Sequence, residues 1–111
     1  VALTGGRCWV AKWGGQVVGH LCLLLDRLPA HIAAEHRAVG YVSDAYVQEG
    51  MRGRGIFRAL LAEAERFALT ADATRLLVGV LAGNARAERA WRFAGFRPYA
   101  LDLVKELKRS A

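Results

Sequence analysis

Two cysteines, two prolines, one methionine and no long apolar run are all that this 111-residue chain offers where several classes of protein demand more. Cys8 and Cys22 are too few for a disulfide framework and lack partners at metal-ligand spacing, so no metal site is expected. The longest apolar run, Leu21–Leu25, is far short of the ~20 residues that cross a bilayer, which argues against a membrane. No charged-then-apolar signal segment opens the chain. It starts on Val1 and not on Met, and residues upstream are expected to have been removed or to lie outside this sequence.

What is present is 54% hydrophobic and 23% charged, and its length suits a single domain, residues 1–111, that buries a real core. The formal charge of +6 suits an anionic partner. The arginines gather beside a glycine-rich stretch and around Asn84, not in one basic tail. No RNP-like aromatic–basic strand and no zinc spacing accompany them, which argues against nucleic acid.

Cys8–Trp13 and Gln16–Leu25 read as a β-hairpin around Gly14-Gly15. With a two-residue turn there, Trp13 faces Gln16 and Cys8 faces Leu21. Cys22 then points to the opposite face, so no bridge is expected and a reduced, cytoplasmic pair is the default. Asp26–Val39 breaks the pattern and reads as a loop; Gly40–Val47 returns to strand. Ile56, Leu60, Leu61, Ala64, Phe67 and Ala68 recur at helical spacing. Arg75–Leu81 is the next strand. A second helix starts at Gly83-Asn84 and stops at Gly95, a C′ glycine. Phe96–Leu107 reads as a final strand with Pro98 at its start or edge. The order β-β-β-α-β-α-β predicts an α/β fold with a mixed, largely antiparallel sheet and two helices. Gly40–Val47 and Arg75–Leu81 are predicted to be parallel through a right-handed crossover.

The glycine-rich stretch joins the Gly40–Val47 strand to the first helix. Gly50, Gly53 and Gly55 alternate with Arg52 and Arg54, and Arg58 follows one turn into the helix. Such a turn exposes backbone N–H groups and the positive end of the helix dipole, the chemistry of a polyphosphate cradle; the plainer alternative is a tight turn. A P-loop needs a lysine followed by Ser or Thr at the helix start, and none is present. A dinucleotide fingerprint needs a third glycine where Arg58 stands and an acid ending the next strand, but Asp72 precedes that strand.

Arg52-Gly53-Arg54-Gly55-Ile56 resembles the acetyl-CoA loop of the GNAT superfamily of N-acetyltransferases, with Phe57 where the family usually has a small residue. Further on, Asn84, Ala87, Gly95 and Phe96 match a second family signature in the expected order, with Trp91 replacing the usual tyrosine. The resemblance covers Arg7 to Leu107. Family members normally begin with a further strand and two helices that wall the acceptor, and these have no counterpart here. The expectation is that upstream residues complete the sheet or that two copies associate, giving a possible homodimer.

The resemblance implies transfer of an acetyl group from acetyl-CoA to a primary amine of a small molecule or peptide. It implies that pantetheine lies between strands that splay at Tyr46-Val47 and Gly79-Val80-Leu81. Pyrophosphate is expected on the N–H groups of Gly53 to Phe57, with Arg52, Arg54, Ile56, Arg58, Asn84, Ala87 and Trp91 completing the cofactor set. A backbone N–H near Val47 is expected to polarise the thioester carbonyl. Asp44 is the candidate base or substrate contact, with Ser43 holding a water. Tyr41 and Ser43 share one face and Asp44 the other unless a bulge intervenes. Indole cannot protonate a departing thiolate, which leaves Tyr46, Tyr99 or water as alternatives. His31, Glu35 and His36 line the acceptor mouth or form a solvated loop cluster. A CoA-binding or regulatory module without turnover is the alternative to an active enzyme.

Overall fold

The computed structural model describes residues 2–29, 31–32 and 38–109, the side chains of residues 2–4 excepted. The chain divides into two units, Val1–Gly79 and Val80–Ala111. In the first, β1 (Ala2–Trp13), β2 (Gln16–Arg27), β3 (Ala38–Val47) and β4 (Arg75–Val78) form one sheet in that order. β1, β2 and β3 are antiparallel neighbours, and β4 is parallel to β3, as a crossover through a helix requires. That helix, α1 (Ile56–Thr70), packs on β1, β2 and β3. The second unit carries α2 (Ala85–Phe93).

Most of the core lies on one face of the sheet, closed by α1, and Val39 is buried on the other. Leu21 and Leu23 are fully buried, and Leu60, Leu61, Ala64 and Ala68 recur on the helix face turned toward the strands. Trp9 lies on this side of the outermost strand, its ring 5.6 Å from that of Phe67 in an edge-on contact. α1 ends in a Schellman motif. Asp72 takes φ 64, its N–H donates to the Leu69 carbonyl, and the Ala73 N–H donates to that of Ala68. Ala73 and Ala68 are both buried beneath this turn.

The hairpin turns at Gly14-Gly15, both at positive φ, and Trp13 pairs with Gln16 as expected. Beyond that the register departs from a plain hairpin. Lys12 pairs with Val17 but Ala11 pairs with Gly19, so Val18 is an extra residue on β2. The slip sets Cys8 opposite Cys22 instead of Leu21 and puts both on one face, where they form a disulfide. The expectation of a reduced pair with no possible bridge is therefore corrected, because the argument from alternation assumed an unbroken ladder.

Two other expectations are corrected. The strand predicted over Arg75–Leu81 stops at Val78. No strand forms over Phe96–Leu107; a strand needs a ladder partner, and these residues have none among the described residues. Leu101, Leu103, Val104 and Leu107 are accordingly exposed. No helix among the described residues is long and apolar enough to cross a membrane.

The disulfide closes a short loop in the unfolded chain, and loops near 15 residues are stabilised by about 3 kcal/mol on cross-linking. Denaturant unfolding with and without a dithiol reductant is expected to show a loss of that order. Protein unfolded without reductant is expected to offer no thiol to an alkylating reagent; two alkylated cysteines would contradict the bridge.

Candidate functional site

The ladder between β3 and β4 lasts from Val39↔Arg75 to Val42↔Val78 and then stops, while β3 continues through Ser43–Val47. Gln48 N–H donates to the Val18 carbonyl at 2.7 Å, on the β2 side. By alternation the N–H and carbonyl of Val47 face the other edge, beyond the end of β4. There the Val47 carbonyl accepts from Arg52 Nε at 3.0 Å. The Arg52 guanidinium also lies 5.9 Å from the centre of the Tyr46 ring. Arg52 thus braces the end of β3 against the loop that follows.

A second irregularity decides where Asp44 points. Cys22 pairs with Asp44 but Leu23 pairs with Val42, so Ser43 is an extra residue on β3. Val42 and Val47 are buried on the α1 side, whereas Asp44 and Tyr46 are exposed on the opposite face. The bulge anticipated as a condition is present, and Asp44 joins Tyr41 and Tyr46 on one face. Ser43 Oγ donates to the Cys22 carbonyl at 3.3 Å, a long bond that serves the interrupted ladder. Asp44 Oδ2 lies 2.8 Å from His20 Nε2, and His20 stands directly opposite Tyr46 on β2. Sequence reasoning did not single out His20. Its partner is 24 residues away, and only the bulged register brings the two together.

After β3 comes a short 3-10 turn, Glu49–Met51, and then the glycine loop. Gly53 and Gly55 both take φ 79, a left-handed conformation in which other residues are strained. A Cβ built on either would meet nothing within 4 Å, so the backbone is open to a ligand. The first α1 bond runs from Ala59 N–H to the Gly55 carbonyl. The N–H groups of Gly53, Arg54, Gly55, Ile56 and Arg58 therefore donate to nothing among the described residues. Arg54 lies over the Trp13 ring at 5.7 Å, and Arg58 is exposed. Ile56 and Phe57 are half-buried, and the Ile56 side chain reaches the sheet at Gly19. Three backbone features thus converge at one end of the sheet: N–H groups without a described acceptor, the positive pole of α1, and a strand edge with no ladder partner beyond Val42.

Asn84, Ala87 and Trp91 lie in the second unit. Asn84 caps α2, its Oδ1 accepting from Ala87 N–H at 3.2 Å. The far end of α2 is a second Schellman motif. Phe96 N–H donates to the Trp91 carbonyl and Gly95 N–H to that of Arg92. The Trp91 and Phe96 rings meet edge-on at 5.0 Å, the apolar contact that accompanies this motif. Tyr99 follows in irregular chain and His31 is exposed, while Glu35 and His36 lie outside the described residues. Among the described residues no three His, Cys, Asp or Glu side chains group as metal ligands.

A family model described as Acetyltransferase (GNAT) family matches residues 2–96, and the chain belongs to that family; it is an acyltransferase. No curated protein matches it in sequence. Among solved structures it is similar to aminoglycoside N-acetyltransferase AAC(6')-Iy in complex with CoA. The identity is 13% and the TM-score 0.81, with 94% of this chain and 77% of that one covered. The same enzyme with a bisubstrate analogue, CoA-S-monomethyl-acetylneamine, aligns at 13% and 0.81 over 96% and 71%. The apo aminoglycoside antibiotic 6'-N-acetyltransferase AAC(6')-IG of Acinetobacter haemolyticus aligns at 19% and 0.82 over 96% and 73%. At these identities the likeness shows the fold alone.

Replacing the Asn84 cap is expected to destabilise α2. Asn84→Ala removes the acceptor for Ala87 N–H, a loss of about 0.5–2 kcal/mol of local stability. Amide hydrogen exchange over residues 85–93 reads it. Unchanged protection there would contradict the cap.

Proposed function

We propose that the chain is an acetyl-CoA-dependent N-acetyltransferase acting on a primary amine of a small molecule. The observation that carries this is the set of N–H groups of Gly53, Arg54, Gly55, Ile56 and Arg58 without an acceptor among the described residues, at the head of α1 and beside the end of the β3–β4 ladder. The open backbone at Gly53 and Gly55 fits a pyrophosphate, with Arg54 and Arg58 adding charge. The structural neighbours that contain CoA or a CoA-linked aminoglycoside support the same reading.

Acetyl-CoA, when bound, supplies an acetyl thioester, whose C–S bond is exchanged for a C–N bond to the amine as the sulfur leaves as a thiolate. The Val47 N–H, turned toward the open edge of β3, polarises the carbonyl that accepts the nitrogen. Asp44, on the exposed face two residues before Tyr46, takes the proton that the amine gives up. Tyr46 or water protonates the departing sulfur. Because a thiol of pKa about 8.5 is a tolerable leaving group, this last role does not demand a strong acid. A second reading, CoA binding without turnover, is favoured by Trp91, whose indole stands where the family usually has tyrosine and packs on Phe96.

Binding is tested by thermal shift with acetyl-CoA. A ligand that binds only the folded loop at about 100 times its Kd adds about 2.7 kcal/mol. Gly55→Asp and Gly55→Asn separate charge from backbone strain, since both side chains tolerate φ near that of Gly55 better than most. The Asp variant is expected to lose the shift, and the Asn variant to keep much of it. Equal shifts in the two variants would sink the cradle.

A further inference from the structure

We infer that His20 is a positioning residue for the acceptor amine, holding the Asp44 carboxylate on the open face of the sheet so that it can receive a primary ammonium group. This rests on the reading of the chain as an N-acetyltransferase. His20 Nε2 and Asp44 Oδ2 are 2.8 Å apart, and Oδ1 of Asp44 has no partner among the described residues. With its proton on Nε2 the ring donates to Oδ2, which pins one oxygen and leaves the other facing outward.

An exposed side-chain contact of this kind contributes little by itself. This one is braced on both sides. Val10 of β1 and Tyr46 of β3 stand directly opposite His20, and the Tyr46 ring lies 6.1 Å from the imidazole. Arg52 covers Tyr46 and is bonded to the Val47 carbonyl. A row of side chains therefore runs from the glycine loop through Arg52, Tyr46 and His20 to Asp44. Lys12 of β1 shares the face by alternation, whereas Arg7 of the same strand lies over the Phe67 ring of α1. The His20 side chain is 33% exposed and that of Asp44 65%, so the carboxylate is the group an incoming amine meets. A carboxylate with one oxygen pinned, on the same strand face as Tyr46 two residues along, suits a cationic nitrogen.

The test is an amine titration followed at the Asp44 carboxyl carbon by NMR, with neamine and spermidine as probes and no acetyl-CoA present. The wild type is expected to show a saturable shift. His20→Ala is expected to weaken the affinity about fivefold. His20→Gln, whose amide nitrogen reaches the same carboxylate, is expected to restore most of it. Equal affinities for the wild type and His20→Ala would overturn the assignment. So would a Gln variant no better than Ala, or an Asp44 signal that neither amine moves. The acetyl-CoA thermal shift on the same samples verifies folding and separates the two readings. A chain that binds acetyl-CoA while Asp44 ignores amines contradicts the role of His20 alone. A chain that binds amines at Asp44 without an acetyl-CoA shift contradicts the transferase reading alone.

Discussion

Side chains alternate along a β-strand, so in a regular β3 Asp44 would share the face of Val42 and point at α1. A carboxylate there would be buried without a partner, at a cost of several kcal/mol or a forced protonation. One extra residue, Ser43, avoids this. It keeps Val42 and Val47 in the core on either side of the bulge and turns Asp44 and Tyr46 outward. The β4 ladder ends at Val42, immediately before the extra residue, and the open edge of β3 begins where the strand bends. The facing of Val42, Asp44 and Val47 depends on that single insertion.

The other irregularities reinforce the same region. The slip at Val18 aligns Cys8 with Cys22, and Cys22 is itself the register partner of Asp44. One row across three strands thus holds the disulfide and the acid, and cross-linking β1 to β2 there restrains the strand behind Asp44. At the end of β3 the restraint comes from Arg52, which holds the Val47 carbonyl, while a Cβ at Gly53 or Gly55 would meet nothing within 4 Å.

Features set by local chemistry were legible in the sequence. These are the Gly14-Gly15 turn, the start of α1 after Gly55, the Asn84 cap, the Gly95 stop and the parallel crossover. The first four each depend on a residue type within a few positions, and the crossover on one helix lying between two strands. What was not legible depends on counting across strands. Nothing in the local pattern marks Val18 or Ser43 as an extra residue, so the facing of Cys8 was misread and that of Asp44 was left conditional. His20 escaped notice for the same reason, since its partner is fixed by a diagonal across a bulged register. The Phe96–Leu107 stretch shows the converse, a strand-like composition without a ladder partner.

Turnover tests the central claim most directly. Radiolabelled acetyl-CoA is incubated with the protein and a mixed panel of primary amines, and both free thiol and acetylated amine are measured. Amine-dependent thiol release is expected to match the amount of N-acetylated product, and to fall about 100-fold or more in Asp44→Asn, the scale of a lost general base. Binding of acetyl-CoA with no acetylated amine in any member of the panel would contradict it and leave a CoA-binding module.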